Sequence, residues 1–188
     1  MQSRVRRTLV LTLLAIIITG CKQSGVRETL DEQSLVSIIT ITPPYTFYRL
    51  RLEDDIEREF VLMGPIDRIR SAERGQYLWL NVWAVKRDGA HTDATLPDSI
   101  EIETSGGRVT LTRTANRHAD LDVSKSPYRV VRKGVGEGYY ALDEAQLDAL
   151  RDVPLVALHL AGHRYELWGD QSQADEALSQ FLLETTGY

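Results

Sequence analysis

Apolar residues follow three different spacings along this chain of 188 residues, and each spacing predicts a different element. Thr8 to Thr19 (TLVLTLLAIIIT) is a nearly continuous apolar run. At helical rise it reaches roughly 18 Å, well short of the roughly 30 Å hydrocarbon core, so it does not make a permanent transmembrane helix. From Ser34 onward the apolar positions alternate, or come in short β-branched runs bounded by Pro and Gly, which is the pattern of strands. Ser34 to Thr42 (SLVSIITIT) predicts a first strand, stopped by Pro43-Pro44. Thr46 to Leu52 sets Phe47, Arg49 and Arg51 against Tyr48, Leu50 and Leu52, which suits a half-buried strand. Glu59 to Met63 begins another, interrupted near Gly64-Pro65. Gln76 to Lys86 (QYLWLNVWAVK) carries Leu78, Leu80, Val82 and Ala84 on one face and Tyr77, Trp79, Asn81 and Trp83 on the other. Apolar weight on both faces predicts a central strand covered twice.

Two hairpins can be placed in register. With Gly106-Gly107 as a two-residue turn, Ile102 faces Leu111 and Thr104 faces Val109, while Glu101 and Glu103 share the opposite face with Thr110 and Thr112. Leu155 to Leu160 and Arg164 to Trp168 pair around Gly162-His163, which puts His159 opposite Glu166. Between these hairpins, Ala115 to Pro127 reads as a polar loop, and Tyr128 to Arg132 and Gly138 to Leu142 as strands flanking a Gly-rich turn.

Two stretches change to helical spacing. Asp143 is placed to cap a short helix with Gln146 at N3, Leu142 can staple to Leu147, and Pro154 ends it. Ser172 caps a second helix, whose Ala174, Ala177, Leu178, Phe181 and Leu182 form one apolar stripe. The pattern predicts a mainly β chain: a β-sandwich or antiparallel α+β domain with a short helix and an amphipathic C-terminal helix over one apolar face.

The N-terminal run acquires a meaning from its flanks. Arg4, Arg6 and Arg7 precede it with no acidic residue, and Gly20-Cys21 follows, so residues 1–20 have the build of a secretory signal. The tetrad Ile18-Thr19-Gly20-Cys21 resembles the lipobox of bacterial lipoproteins: aliphatic, small, small, cysteine. That resemblance implies diacylglycerol on the Cys21 sulfur, cleavage before Cys21 and acylation of the new amino group. Cys21 is the only cysteine in the chain, and a lone cysteine in a secreted protein calls for an explanation that a thioether to lipid supplies. Several acyl chains hold far more firmly than one. Lys22, in place of an aspartate after the cysteine, implies the outer membrane under the lipoprotein sorting pattern, with the protein facing the periplasm. The polar residues 21–34 then read as the lipidated cysteine and a tether, and residues 35–188 as a single β-rich domain.

Removing residues 1–20 takes the formal charge from −5 to −8. An acidic chain without a basic run is a poor match for nucleic acid or anionic headgroups. No disulfide can form within the chain, so stability rests on apolar burial and hydrogen bonding.

Candidate chemistry is sparse. His159 and His163 have the i, i+4 spacing of a helical zinc pair, but they fall on a predicted hairpin and no HExxH is present. His118, Asp120 and Asp122 (RHADLD) could ligate a divalent cation, although turn-forming aspartates are common for purely local reasons. Tyr77, Trp79 and Trp83 could form a stacking platform for sugar or peptide, although aromatic residues on a central strand usually serve the core. Gly134, Gly136 and Gly138 lack the setting of a phosphate loop, and no GxSxG or Ser-His-Asp set can be assembled. No cofactor is implied. The expectation is a membrane-tethered periplasmic lipoprotein that works as a non-enzymatic protein-interaction module, of the kind found among inhibitor and immunity proteins. The alternatives are an assembly component of an envelope complex and a metal-dependent hydrolase using His118, Asp120 and Asp122.

Overall fold

A computed structural model of the chain describes residues 25–51, 55–130, 136–151 and 153–185. The signal segment and Cys21 lie outside the described residues, as does part of the Gly-rich turn at 131–135. The strands are β1 (Gly25–Asp31), β2 (Val36–Thr42), β3 (Tyr45–Leu50), β4 (Ile56–Arg70), β5 (Glu73–Lys86), β6 (His91–Asp93), β7 (Ser99–Thr104), β8 (Gly107–Ala115), β9 (Gly136–Leu142), β10 (Leu155–Leu160) and β11 (His163–Leu167). The helices are α1 (Glu144–Leu150) and α2 (Ser172–Thr185), with a 3₁₀ turn at His118–Leu121.

Eight of these strands close on themselves in the order β4-β3-β11-β10-β7-β8-β9-β5 and back to β4, every neighbouring pair antiparallel. The chain is therefore mainly β with two helices, and its sheet is a barrel with extra strands rather than a sandwich. Alternation along a strand is the same in either architecture; closure is decided by which distant strands pair.

The long hairpin β4–β5 is the spine. It turns at Ser71-Ala72 and pairs from Arg70↔Glu73 to Ile56↔Lys86. β2 and β3 both run antiparallel to β4 along its other edge, Thr40 opposite Ile66 and Tyr45 opposite Met63. They are two halves of one long track, broken where Thr42-Pro43-Pro44 inserts two residues that β4 does not match. Pro43-Pro44 thus ends β2, as its sequence predicts. Gly64-Pro65 does not interrupt β4, which runs through it to Arg70. The expected tether is also shorter than 21–34, because Gly25–Asp31 pairs along its whole length with β2. Its polar side chains gave no strand signal, since an outermost strand is held by backbone pairing more than by burial.

Both predicted hairpins form, each two residues out of the expected register. Ile102 faces Val109 and Ile100 faces Leu111 around Ser105-Gly106. His159 faces Arg164 and Ala157 faces Glu166 around Ala161-Gly162, where φ is +49° and +80°. A slip of two preserves side-chain faces, so Ile100, Ile102, Val109 and Leu111 still point inward while Glu101 and Glu103 stay outside. Tyr128–Val130 is not a strand.

The barrel interior holds one core, including Phe47, Val61, Leu80, Ile102 and Leu158. α1 and α2 seal one end with Leu147, Leu150, Leu178, Phe181 and Leu182, leaving a void of only about 10 Å³. The capping box at Asp143 and Gln146 is formed as predicted, and the apolar stripe of α2 is fully buried. The N–H of Ser172 is taken by Asp170 at 2.9 Å. A second core lies outside the barrel, where Val36, Ile38, Ile66, Trp79 and Tyr139 are roofed by Leu121, Val123 and Tyr128. The stretch expected as a polar loop is that roof.

Candidate functional site

The outer face of β5 carries Tyr77, Trp79, Asn81 and Trp83 in alternation, and the two ends of this row have different fates. Trp79 is fully buried. Its ring stacks on Tyr128 at 4.8 Å and 22°, and its Nε1 donates to Glu137 Oε1 at 2.9 Å. The same carboxylate oxygen accepts from Ser126 Oγ at 2.5 Å and from the Tyr139 hydroxyl at 2.8 Å. The Tyr128 hydroxyl accepts from Ile41 N–H at 3.1 Å and donates to the Pro65 carbonyl at 2.7 Å. It fills the place where the β2–β4 ladder is broken. Burial pushes this hydroxyl far above the ordinary tyrosine range, so it stays protonated and remains a donor.

Gly64 allows that insertion, because a Cβ there would stand 2.3 Å from Tyr128 Cζ. Asp31 fastens the roof from the other side, accepting from Ser124 N–H at 2.5 Å and Ser124 Oγ at 2.6 Å. Those hydrogen bonds hold the Asp31 carboxyl well below the usual carboxylate range, with that from Ser124 Oγ the largest cause.

Four residues further along β5 the cover is other rings rather than a chain segment, and Trp83 is 8 % exposed beneath them. Trp83 stacks on its cross-strand partner Phe60 at 5.4 Å and 17°. Trp168, just beyond β11, sets its edge against Phe60 at 5.6 Å and against Tyr48 at 4.7 Å. Trp168 is 44 % exposed, and Leu50, two residues from Tyr48 on the same face of β3, is 63 % exposed. This aromatic cluster of Tyr48, Phe60, Trp83 and Trp168 is a surface feature built from four different chain segments.

The barrel end opposite α1 and α2 is a mouth. A cavity of about 380 Å³ opens there, walled by Ile56, Val82, Ala84, Ala94 and Leu160 and floored by Arg49, Arg51, Glu59 and Tyr165. Glu59, buried, accepts from Arg49 Nε at 2.5 Å, Arg51 Nη1 at 2.7 Å and the Tyr165 hydroxyl at 2.7 Å. Burial alone would raise its carboxyl, but the hydrogen bonds from Arg49, Tyr165 and Arg51 outweigh it and hold the group down to about 2. The Arg49 guanidinium also lies over the Tyr165 ring, 5.3 Å from its centre.

The residues singled out by sequence are placed apart. Tyr77, Trp79 and Trp83 make no common platform: Trp79 lies under the roof, Tyr77 packs partly buried beside it, and Trp83 joins the aromatic cluster. His118, Asp120 and Asp122 go to three separate partners. Asp120 accepts from the Asn116 and Arg117 N–H groups, which hold it below the carboxylate range. Asp122 pairs with Arg68 and Arg70, and His118 Nδ1 lies 3.6 Å from Glu137. Among the described residues no three His, Cys, Asp or Glu side chains gather as a cation site. His159 meets Glu103 at 2.7 Å, whereas His163 is a strand residue at the rim of the mouth, not a turn residue.

Phe60 and Trp168 carry no signal of their own in the sequence. They join Trp83 only through the β4–β5 register and the β3–β11 pairing. Set against protein-family models, curated proteins and solved structures, the chain matches none of them. Its class is given by its own geometry: an antiparallel barrel plugged at one end, roofed on part of one face, and bare over an aromatic cluster.

Proposed function

We propose that this chain is a lipid-anchored protein of the cell envelope whose barrel is a non-enzymatic protein-interaction module, with the unroofed aromatic cluster as its contact surface. The observation that carries the reading is a contrast across the outer face of the barrel: the chain spends a whole segment covering Trp79, while beside Trp83 it leaves Trp168 and Leu50 bare. Aromatic anchors dominate the binding energy of protein interfaces, and exposed apolar residues grouped together mark such surfaces.

The lipobox supplies the tether. Gly25, the first strand residue, follows Cys21 by four positions, and four residues span at most about 14 Å, so lipid on Cys21 keeps the barrel beside the bilayer. The preferred partner is a basic protein of the periplasm, because the charge of −8 after cleavage steers such a partner and repels acidic ones.

Residues 25–185 carry both cores, so a lipid-free form beginning at residue 22 keeps the whole described fold. Such a protein, used as bait on an envelope extract, is expected to retain a basic protein at low salt and to release it at high salt. Trp168→Ala is expected to abolish the retention. Retention that Trp168→Ala leaves intact would remove the aromatic cluster from the reading. A salt-resistant set of envelope proteins would instead favour an assembly role. The hydrolase alternative gains no support from His118, Asp120 and Asp122, whose side chains are engaged separately.

A further inference from the structure

The innermost layers of the barrel are apolar, and one layer is not. Along β3 the inward positions run Tyr45, Phe47, Arg49; along β4 they run Met63, Val61, Glu59; along β11 they run Leu167, Tyr165. At the mouth, then, the core gives way to a charged layer at a depth where Glu59 is only 3 % exposed. An ion pair held at such depth is a poor route to stability, because desolvating the charges offsets their attraction. An apolar layer of similar volume would close the barrel as firmly as the other end is closed.

What the charged layer does provide is a floor with directed donors. Glu59 has both oxygens occupied. Arg49 gives Glu59 only its Nε, and among the described residues its two Nη groups, with four N–H donors, have no carboxylate of their own. Those donors form a planar fork that fits the two oxygens of a carboxylate. Above them the walls are aliphatic: Ile56, Val82, Ala84, Ala94 and Leu160. A polar floor under aliphatic walls accepts a molecule with an acidic head and a short apolar tail. The cavity of about 380 Å³ lies at the lower end of the roughly 300–1,000 Å³ typical of small-ligand sites.

We propose that the barrel mouth is a binding site for a medium-chain carboxylate, its head on the Arg49 guanidinium and its tail along Val82, Ala84 and Leu160. The site is separate from the aromatic cluster on the outer face and does not depend on a protein partner.

The test is calorimetric titration of the lipid-free protein from residue 22 with decanoate below its micellar concentration. Saturable 1:1 binding is expected. Thr95→Trp, at the exposed rim, fills the mouth without touching the ion pair and is expected to abolish binding with an unchanged melting temperature. Arg49→Lys keeps the charge but loses the fork, and is expected to weaken decanoate by about tenfold to a hundredfold, the loss of a charge-assisted hydrogen bond. Decanol, with the same tail and no carboxylate, is expected to bind more weakly by a similar factor. Trp168→Ala is expected to change nothing here. The proposal is overturned by the absence of saturable binding, by binding that survives Thr95→Trp, by decanol equalling decanoate, or by loss of binding on Trp168→Ala.

Discussion

Trp79 and Trp83 stand four residues apart on the same face of the same strand, and the chain treats them in opposite ways. Around Trp79 the rings are tied down by hydrogen bonds: the indole N–H on Glu137, the Tyr128 hydroxyl on Ile41 and Pro65, Asp31 on Ser124. A segment of little regular structure is held down because Leu121 and Val123 are buried while Tyr128, Ser124 and Ser126 find hydrogen-bond partners in the strands beneath. Around Trp83 the contacts are ring on ring, and the outermost ring keeps nearly half its surface in water. The first arrangement is what a β-barrel does with a face it must bury. The second leaves apolar rings at the surface, and the proposed contact surface rests on them.

The largest effect should come from removing the buried ring. Trp79→Ala is expected to cost about 3–5 kcal/mol in denaturant unfolding, by the cavity it opens and the donor it takes from Glu137. Trp83→Ala should cost less, since that ring is covered by other side chains near the surface, which can close over the space it leaves. Equal costs for the two would erase the distinction between a core face and a surface cluster.

Gly64→Ala should come next, at about 1–3 kcal/mol, because the new Cβ collides with the Tyr128 ring. The collision identifies its own control. In a Tyr128→Ala background the same substitution should cost little, and a double-mutant cycle would read the difference as coupling between the two sites. An additive result would mean that Gly64 matters for the β4 backbone and not for the roof.

How much of this was legible beforehand depended on whether a signal was local. The apolar stripe from Ala174 to Leu182 and the Asp143–Gln146 box are complete within one helix each, and both were readable. The hairpin faces were readable because alternation is local. Their registers were not, because Gly sits second in the turns Ser105-Gly106 and Ala161-Gly162, one place before the position the sequence suggested. Closure of the barrel rests on β9 finding β5 and β11 finding β3, pairings between residues far apart in sequence, and no local pattern encodes them. The roof was missed for a related reason. Leu121 and Val123 are its only apolar pair in a polar stretch, and the role of Tyr128 is set by a gap in another strand's ladder. The mouth was not visible: the alternation along β3 set Arg49 beside Phe47 without saying which face turns inward, and its partner Glu59 could be named only once β3 and β4 were in register.

Acid should loosen the roof by a step that one substitution isolates. Asp31 has its pKa lowered by folding, so its contribution to stability is fully present above the ordinary carboxylate range and is lost as pH falls through that range towards the lowered value. As Asp31 protonates, its bonds from Ser124 weaken, and amide exchange at Val123 and Ser124 should accelerate; the Glu59 ion pair beneath the Trp83 cluster weakens over an overlapping range, so a substitution is needed to isolate the roof. Asp31→Asn should remove this step and leave exchange there insensitive to pH beyond its intrinsic chemistry. An unchanged acid response in that variant would assign the fastening of the roof to the Asp122 pairs with Arg68 and Arg70 instead.

The smallest effect on stability is expected at the residue to which the proposed contact surface gives the largest role. Trp168→Ala removes two edge contacts from a ring already 44 % exposed, and about 1 kcal/mol is the expected cost. The fold, the buried stack at Trp79 and the mouth should be untouched, since Trp168 belongs to neither core. Retention of a partner by the lipid-free barrel should nevertheless collapse, because an interface loses most of its energy when one central aromatic is cut back. Stability and binding thus give opposite rankings for the tryptophans: Trp79 first and Trp168 last for folding, the reverse for capture of a partner. If Trp168→Ala proved as damaging to folding as Trp79→Ala, the bare cluster would be a poorly covered piece of core, and the contact surface would have to be sought elsewhere on the barrel.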